Sequence, residues 1–591
     1  MVQLLRLIVC VPGGEEVFVR TIARKFGDKT YKYAYLVENQ RVGWKIRQRL
    51  VLNVGAAESI STKRIDAVIA ALRPLSSSPQ RGAGPGVGVL VRNRVARLLG
   101  PVLVAEAAWE RLGIACLIAR VLRRRKIELD VGLLSFGMVA NRLVSPRSKL
   151  GLTQWYRRVH IPRLLEASPD VHQFYRAMDA LLECKDAIER HVAGRISKLF
   201  NQDFSLVFYD LSSTYFEGTT CPLACYGYSR DHRDDKLQIA LGLVVTGDGL
   251  PVASDVFVGN AADATTVSAR VADLKERFGI ARTIFVGDRG MLSATNVAVL
   301  ESQGYQYISS VPTRGKLGKE LVMLAGDLSG YQVVQQDKLL AREVRREGDC
   351  CRYIVCMSFE RAEVDSGQRQ RRIERALVRL GALKKSVASG RTTLENAQST
   401  LADIFSDRRS RRYFRYELAP GKFSFELKEE AIAQDAACDG RFILTTDASD
   451  IALEQVISSY KDLKHVESAF DELKNFIEIR PVYHYNEQRV RAHVFICVLS
   501  YLLERVLELS LAGAGLDISA RRALDELESL QMVESEIDGH LLHGPTEGSE
   551  EARNILEALD IPLPKAALTA LPATPAPEPR EKPRSAETAL F

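Results

Sequence analysis

The sequence lacks a cysteine framework and has no long apolar run. Its ten cysteines among 591 residues follow no regular spacing, which excludes a disulfide-stapled scaffold and fits a reducing cytosol. Cys221, Cys225 and His232 come nearest to a zinc site, but no second pair of ligands is close in sequence, so we expect no zinc. No stretch of 18 apolar residues occurs, and the short run at 4–11 contains Arg6, which argues against a membrane span or signal peptide. We therefore expect a soluble, cytoplasmic protein.

The charge of the chain is distributed unevenly. Apolar residues make up 46% of the sequence and charged residues 26%, as in ordinary globular proteins, which excludes a wholly disordered chain. Residues 1–150 carry 26 basic and 10 acidic side chains, a net charge of +16, which leaves −9 for the remainder. Such a bias favours nucleic acid as the partner of the N-terminal quarter, and a merely solvated basic surface is the alternative.

The length predicts about four domains. Hydrophobic periodicity and turn signals divide the chain into consecutive segments. They are a basic strand-rich region at 1–55, a mainly helical region at 56–200, the first part of an α/β core at 201–315, an insertion of strands and helices at 316–440, the second part of the core at 441–510, C-terminal helices at 511–560, and a disordered tail rich in Pro and Ala at 561–591.

Two basic features could contact phosphate. Arg, Lys and Tyr alternate along the strands of residues 15–54, so this ribbon could lie on a phosphate backbone or could be a half-solvated sheet. A second feature is a basic run at the end of a helix, where it complements the helix dipole and could also bind phosphate. It consists of Arg123, Arg124, Arg125 and Lys126.

Residues 205–311 alternate in the order β-β-β-α-β-α-β. Three apolar strands separated by Gly and Asp turns come first, and amphipathic helices alternate with buried strands after them. This order predicts an α/β sheet with one antiparallel half.

Three acidic residues stand out in this region and after it. Asp210 in SLVFYDL and Asp288 in TIFVGD end or interrupt apolar strands, where a carboxylate is costly unless it is paired or bound to metal. Either alone could be a strand-end turn residue. Glu467 lies seven residues from both Tyr460 and Lys474, which places the three on one helical face. Glu467 would stand at the edge of an apolar stripe that faces the sheet. Taken by itself, this segment could equally be an exposed helix face of Glu and Lys residues. The stripe consists of Val456, Leu463, Val466, Phe470, Leu473 and Ile477.

The combination of these carboxylates predicts chemistry at metal ions. Three carboxylates from two central strands and a following helix can hold two divalent cations about 4 Å apart. One cation activates a water or a 3′-hydroxyl group, and the other stabilises the leaving oxygen. Oxygen ligands suit Mg²⁺ or Mn²⁺. The pattern therefore indicates hydrolysis and transfer of phosphodiesters.

The same segments resemble the DDE transposases of bacterial insertion sequences. FYDLSSTYFEG supplies Asp210, FVGDRGMLSATN supplies Asp288, and YKDLKHVESAFDELK supplies Tyr460, Glu467 and Lys474. The last segment is closest to the subgroup with the motif Tyr-x2-Arg-x3-Glu-x6-Lys. The resemblance, clearest over residues 200–510, implies an RNase H-like mixed five-stranded sheet with helices, interrupted by an insertion and preceded by strand-rich and helical DNA-binding regions.

The resemblance also implies roles for these residues. Asp210, Asp288 and Glu467 would bind two Mg²⁺ or Mn²⁺ ions and catalyse cleavage at transposon ends, followed by joining of the ends to target DNA. Tyr460 and Lys474 would contact phosphates near the scissile bond. The partner would be double-stranded DNA, bound by a homodimer in the nucleoid, with no membrane.

Further residues could serve the same site. Arg289 and Lys236 could counter phosphate charge near the carboxylates, although both could be solvated loop residues, as could Arg230, His232 and Arg233 in the turn before the second strand.

The sequence departs from the family in two places. The arginine of the third motif falls at Leu463, with Lys464 adjacent as the candidate phosphate contact. Some relatives hold a flipped base with a tryptophan in the insertion, but no Trp lies between Asp288 and Glu467. That role would fall to an aromatic residue such as Tyr413, Phe414 or Tyr416.

Three functions remain open from the sequence. An active transposase is favoured by the large insertion and the basic N-terminal region, because such an enzyme must hold transposon ends and target together. An RNase H-like nuclease without strand transfer would use the same chemistry. A non-catalytic DNA-binding derivative is disfavoured because all three acidic residues are present.

Overall fold

The computed structural model separates into two compact units, Met1–Val89 and Leu90–Phe591. The residues that it describes are 8–10, 16–26, 29–42, 45–56, 91–200, 205–218, 220–261, 278, 283–288, 290, 292–480, 482–537 and 540–570. Arg289, the segments 57–90 and 262–282 apart from Phe278, and residues 571–591 of the expected tail lie outside them.

The first unit contains an antiparallel sheet in the order β1-β2-β3-β4. Its strands are β1 (Ile8–Cys10), β2 (Glu16–Phe26), β3 (Lys29–Val42) and β4 (Lys45–Ala56). Short connections join the longer strands, because Phe26 pairs with Lys29 and Val42 with Lys45. The strand-rich N-terminal region that the sequence predicts is therefore present.

The second unit begins with a strand and a helical region. Strand β5 (Val91–Leu98) precedes seven helices: α1 (Gly100–Leu112), α2 (Ile114–Leu122), α3 (Val131–Val144), α4 (Lys149–Trp155), α5 (Pro162–Ala167), α6 (Val171–Glu183) and α7 (Lys185–Leu199). Their apolar faces form one core with the later helix α16 (Glu487–Gly513), which packs on α3 and α6. The helical region is thus held by a helix that lies about 300 residues further along the chain.

The central element of the second unit is a nine-stranded mixed sheet. Its strands are β6 (Leu206–Phe216), β7 (Leu237–Val245), β8 (Pro251–Val258), β9 (Ile284–Val286), β10 (Gln306–Val311), β11 (Gln332–Gln335), β12 (Leu339–Val344), β13 (Arg352–Ser358) and β16 (Arg441–Thr446). The first five occupy the order β8-β7-β6-β9-β10, in which β6, β9 and β10 are parallel and β7 and β8 antiparallel. This is the mixed five-stranded sheet that the resemblance implies.

Four further strands extend that sheet beyond β10. Strand β16 pairs with β10 and β13, and the hairpin β12–β13 and strand β11 continue the sheet outward. The sequence places these three outer strands in the insertion, whereas the structure makes them part of the central sheet. The reason is that Ile354 and Cys356 of β13 and Leu444 of β16 present apolar side chains to the same core as the first five strands.

The rest of the expected insertion forms a satellite with its own core. It comprises α10 (Phe359–Ala388), α11 (Leu394–Ile404), the short α12 (Arg408–Arg411), the hairpin β14 (Phe414–Ala419)–β15 (Lys422–Leu427) and α13 (Glu429–Ala436). Two other helices flank the central sheet: α8 (Ala294–Ser302) packs on β10, and α9 (Lys316–Ala325) packs on β12 and β13.

Opposite faces of the central sheet carry different helices. Phe208 and Val286 belong to the core shared with α14 (Leu453–Lys461), α15 (Lys464–Asn475) and α16. Phe285 and Val207 belong to the core shared with α8. Successive residues of a strand point to opposite faces, so strand position decides which helices a side chain meets.

The C-terminal region differs from the helices expected over 511–560. Helices α17 (Ala520–Leu527) and α18 (Glu550–Ala558) are present, but β17 (Gln531–Ile537), β18 (His540–Pro545) and β19 (Ala567–Ala570) join β5 in a sheet ordered β19-β18-β17-β5. Strand β19 lies within the segment expected to be a disordered tail. The pairing of β17 with β5 joins residues more than 430 positions apart, which no local pattern reveals.

In the described part of the chain, no helix is long and apolar enough to cross a membrane.

Candidate active site

Asp210 on β6 and Asp288 just beyond β9 follow two neighbouring parallel strands at the same offset. Phe208 of β6 is the direct partner of Val286 of β9, and each aspartate follows two residues later. Because side chains alternate along a strand, both aspartates continue the face of Phe208 and Val286, which α15 covers. The side chain of Asp210 is 17% exposed, whereas Asp288, just beyond the end of its strand, is exposed.

Glu467 enters this face from α15. Val466, Phe470 and Leu473 anchor the helix in the core below the sheet, and Glu467 stays exposed in its first turn. The predicted apolar stripe is confirmed, since all six of its residues are buried in this core. Glu467 therefore approaches the sheet face that carries both aspartates.

The expectation of one continuous helix from Tyr460 to Lys474 is wrong. The chain forms two helices, with Tyr460 on α14 and Glu467 and Lys474 on α15. Between them, backbone hydrogen bonds run from residue i to i−3, including Leu463 N to Tyr460 O (3.2 Å) and Val466 N to Leu463 O (3.1 Å). This tighter winding interrupts the helix without any proline or glycine.

Tyr460 nevertheless lies close to two of the three carboxylates. Burial is the main reason that the pKa of its phenol is raised, and the negative charges of Asp288 and Glu467 raise it further. A hydrogen bond with Ser310 of β10 and the charge of Arg361 act in the opposite direction. Tyr460 thus stands between the end of β9 and the first turn of α15.

The three carboxylates do not form a closed metal cage. Among the described residues, no group of three or more His, Cys, Asp or Glu side chains is close enough together to hold a metal ion. The donor set still fits Mg²⁺ or Mn²⁺, because it consists of carboxylate oxygens alone.

A basic loop lies next to Asp210. The Arg230 guanidinium approaches Asp210 to 4.0 Å, and the backbone N–H of Arg230 donates to the Ser213 hydroxyl at 2.8 Å. Lys236, a predicted phosphate contact, forms an ion pair with Glu217 at 2.8 Å. The loop therefore brings positive charge to the carboxylates, while the charge of Lys236 is already compensated.

Lys474 is held by an acidic residue that the sequence did not single out. The Lys474 ammonium donates to Asp231 at 3.0 Å, and Arg480 also pairs with Asp231. Burial alone raises the pKa of Asp231, but the hydrogen bonds from Arg480 and Lys474 outweigh it, so that pKa is lowered overall. Burial is also the main cause that lowers the pKa of Lys474. Asp231 stands in the charged turn SRDHRDDK, where nothing in the sequence distinguishes it from Asp234 and Asp235.

A cleft of about 760 Å³ opens beside Glu467. Tyr460 and Lys464 line it, and Lys464 is exposed. Basic residues outnumber acidic ones among the lining side chains: Arg314, Lys338, Arg361, Arg441, Lys461 and Lys464 face Asp337, Glu360 and Glu467. Arg361 comes from α10 and Arg441 from β16, far in sequence from the three acidic motifs, which explains why those motifs do not reveal them.

The other predicted residues lie elsewhere or are buried. Arg123, Arg124, Arg125 and Lys126 follow α2 and are all exposed, and Arg125 forms an ion pair with Glu183 at 2.9 Å. Of the insertion aromatics, Tyr413 (2% exposed) and Phe414 (3% exposed) are buried in the satellite core, and Tyr416 stacks on Phe405. Tyr413 and Phe414 therefore cannot receive a flipped base in this arrangement.

Comparison with known families agrees with this architecture. The family model of the transposase DDE domain matches residues 217–503, a range that includes Asp288, Tyr460, Glu467 and Lys474 and begins just after Asp210. The family model of the IS1634 family transposase N-terminal domain matches residues 19–81. A comparison with curated proteins finds no match. The chain belongs to the DDE transposases of bacterial insertion sequences.

Proposed function

We propose that this transposase cleaves DNA at the ends of its own element and joins those ends to target DNA. Asp210, Asp288 and Glu467 are the proposed catalytic residues, and the observation that carries the assignment is the matched position of Asp210 and Asp288 beyond the Phe208–Val286 pair. Two divalent cations held by these carboxylates would supply an activated water or 3′-hydroxyl and stabilise the leaving oxygen.

The protein groups around the carboxylates would position the DNA. Lys464 and Arg361 line the cleft beside Glu467 and would bind backbone phosphates, with Tyr460 as a hydroxyl contact at its inner end. Arg230 would neutralise a phosphate close to Asp210. Lys474 would act mainly by holding Asp231, which also pairs with Arg480. Tyr460, Glu467 and Lys474 match the Tyr-x2-Arg-x3-Glu-x6-Lys motif, whereas Leu463 stands at the position of its arginine.

The DNA partner would engage further basic regions of the chain. The sheet at 16–56 and the helical region at 91–200 would bind the transposon end, including the exposed run Arg123–Lys126. Arg289 and Lys236 stay candidate phosphate contacts. We place the reaction in the bacterial cytoplasm on nucleoid DNA, with two chains in the DNA complex because the reaction joins two ends.

A cleavage assay tests the assignment. The substrate is a plasmid that carries the gene with its native flanking DNA, incubated with Mg²⁺ and the full chain. Asp210→Asn, Asp288→Asn and Glu467→Gln should each abolish cleavage at the element ends while DNA binding persists. Asp471→Asn removes an exposed carboxylate from the same helix as Glu467 and should cleave normally. Full cleavage by any of the first three variants would refute the role of that residue.

A further inference from the structure

A small cavity with a strongly basic lining lies away from the carboxylates. Its volume is about 230 Å³, and it lies between α3–α4 and the segment that leads into α16. Arg142, Lys149, His484, Arg489 and His493 contribute to its walls, and no residue that lines it is acidic. The nearest acidic partner of this group is Asp179 on α6, which Arg489 binds with two hydrogen bonds of 3.0 Å.

Several polar atoms of these side chains have no partner in the described part of the chain. Lys149 is 5% exposed, and no hydrogen bond or ion pair to its ammonium group is found. Arg142 donates through Nη1 to the Glu478 carbonyl at 2.9 Å, but its buried Nε has no hydrogen-bond partner. His493 uses Nε2 on the Ile479 carbonyl at 2.9 Å, and its buried Nδ1 is unpaired. Buried polar groups in native proteins nearly always have partners, so these atoms are available to a group bound in the cavity.

The electrostatics of the cavity favour an anion. Burial and the charge of Arg142 lower the pKa of Lys149 to about 7. Burial, with the charges of Lys149, Arg489 and Arg142, lowers the pKa of His484 to about 4. Asn486 lines the same cavity and caps the first turn of α16, whose positive dipole end adds to the potential. An anion would remove the cost of a buried, uncompensated cation.

We propose that this cavity is a phosphate-binding pocket with Lys149 at its base. A phosphate group offers several acceptor oxygens, which suits the ammonium group of Lys149 and the guanidinium group of Arg142, both of which line the cavity. The pocket opens towards a second cleft of about 730 Å³, with which it shares Arg142, Ser148 and Tyr483.

The wider cleft favours the backbone of DNA as the source of that phosphate. Arg147, Arg158 and Arg480 also line it, with Glu478 and Glu528, so that basic side chains outnumber acidic ones along its walls. Tyr483 and Tyr485 at the pocket are each 70% exposed and offer aromatic faces beside that path. This choice of source rests on the proposed function, whereas the pocket itself does not, since free phosphate has the same chemistry.

The first arm of the test measures phosphate binding directly. The full chain and the variants Lys149→Met and Lys385→Met are heated in inorganic phosphate and in chloride of equal ionic strength. Lys385 is an exposed lysine of α10 outside both clefts, so it controls for loss of one positive charge. Phosphate should raise the Tm of the wild type and of Lys385→Met but not of Lys149→Met. An equal effect of phosphate on the Tm of all three proteins would overturn the assignment of this cavity as a phosphate-binding pocket.

The second arm identifies the source. Lys149→Met should weaken binding of duplex DNA about tenfold and lower the salt slope by about 1, because one charge-assisted phosphate contact is lost. Unchanged DNA affinity together with the phosphate effect would assign the pocket to free phosphate and overturn the DNA source. If the wild type fails to cleave DNA but keeps the phosphate effect, the proposed function fails and the pocket stands.

Discussion

Asp210 and Asp288 each stand two residues beyond Phe208 and Val286, which are direct partners across the parallel strands β6 and β9. The pairing sets the ends of the two strands level, so that each carboxylate follows its strand at the same offset, Asp210 within β6 and Asp288 two residues beyond β9. Glu467 stands on α15, whose apolar side is locked into the core. The proposed site therefore depends on strand register and on one helix packing against the sheet.

The register predicts that carboxylate position matters as much as charge. Asp288→Glu keeps the charge but moves the carboxylate outward by one methylene. We expect the rate of end cleavage to fall about 100-fold, since misplacement by about 1 Å has that effect on a positioned reaction. DNA affinity, measured by fluorescence anisotropy, should be unchanged. A rate close to that of the wild type would show that the position of this carboxylate is not critical.

Asp231 is predicted to be a stabilising residue of the site. Asp231→Asn leaves Lys474 and Arg480 without their shared carboxylate, and loss of one partner from a buried pair costs about 3 kcal/mol. The free energy of unfolding should fall by that amount, whereas the exposed neighbour variant Asp234→Asn should change it by less than about 0.5 kcal/mol. Because the pKa of Asp231 is lowered in the fold, its contribution is present above its unfolded pKa and is lost at more acidic pH. Equal stability of the two variants would contradict this role.

Glu504 on α16 predicts a pH dependence in the opposite direction. It is 4% exposed with an unpaired Oε2, and burial, with the charges of Glu472 and Glu508, raises its pKa to about 8. Between its unfolded pKa and pH 8, the unfolded chain ionises this group while the folded chain keeps it protonated, so stability falls as pH rises. Glu504→Gln should be more stable than the wild type at pH 8.5, on the order of 3 kcal/mol, but not at pH 4.

Thermal unfolding across this pH range measures the difference for Glu504→Gln. Glu557→Gln, which removes an exposed carboxyl group of α18, is the control and should follow the wild type. A stability difference between Glu504→Gln and wild type that does not change with pH would contradict a neutral Glu504 in the fold.

The N-terminal unit can be tested by removing residues 1–89. This boundary follows the division into two units, whereas removal of residues 1–150 would take α1–α3 out of the helical core. The segment carries a net charge of +8, so its loss should weaken DNA binding and flatten the dependence of affinity on salt. A salt slope equal to that of the full chain would exclude this unit as a DNA contact.

Local patterns in the sequence predict much of the fold. The strands at Asp210 and before Asp288 and the apolar stripe under Glu467 follow from period-2 and period-3.6 patterns. These elements are defined by neighbouring residues, and their apolar faces are visible in the sequence. The order of the five core strands, by contrast, required the resemblance.

Non-local pairing explains most of what the sequence could not predict. The extension of the sheet by β16 and β13, and the pairing of β17 with β5, join segments far apart in the chain. The helix break after Tyr460 arises from backbone winding without a breaker residue. The Asp231–Lys474 pair likewise joins a loop and a helix 243 positions apart.

Binding of Mn²⁺ to the full chain on DNA tests the central claim most directly. Electron paramagnetic resonance counts the bound ions in the wild type, Asp210→Asn, Asp288→Asn, Glu467→Gln and the control Asp471→Asn. If the three carboxylates form one metal centre, the wild type and the control bind about two ions per chain, and each of the other variants loses at least one. Wild-type stoichiometry in Asp210→Asn, Asp288→Asn or Glu467→Gln would contradict a shared centre.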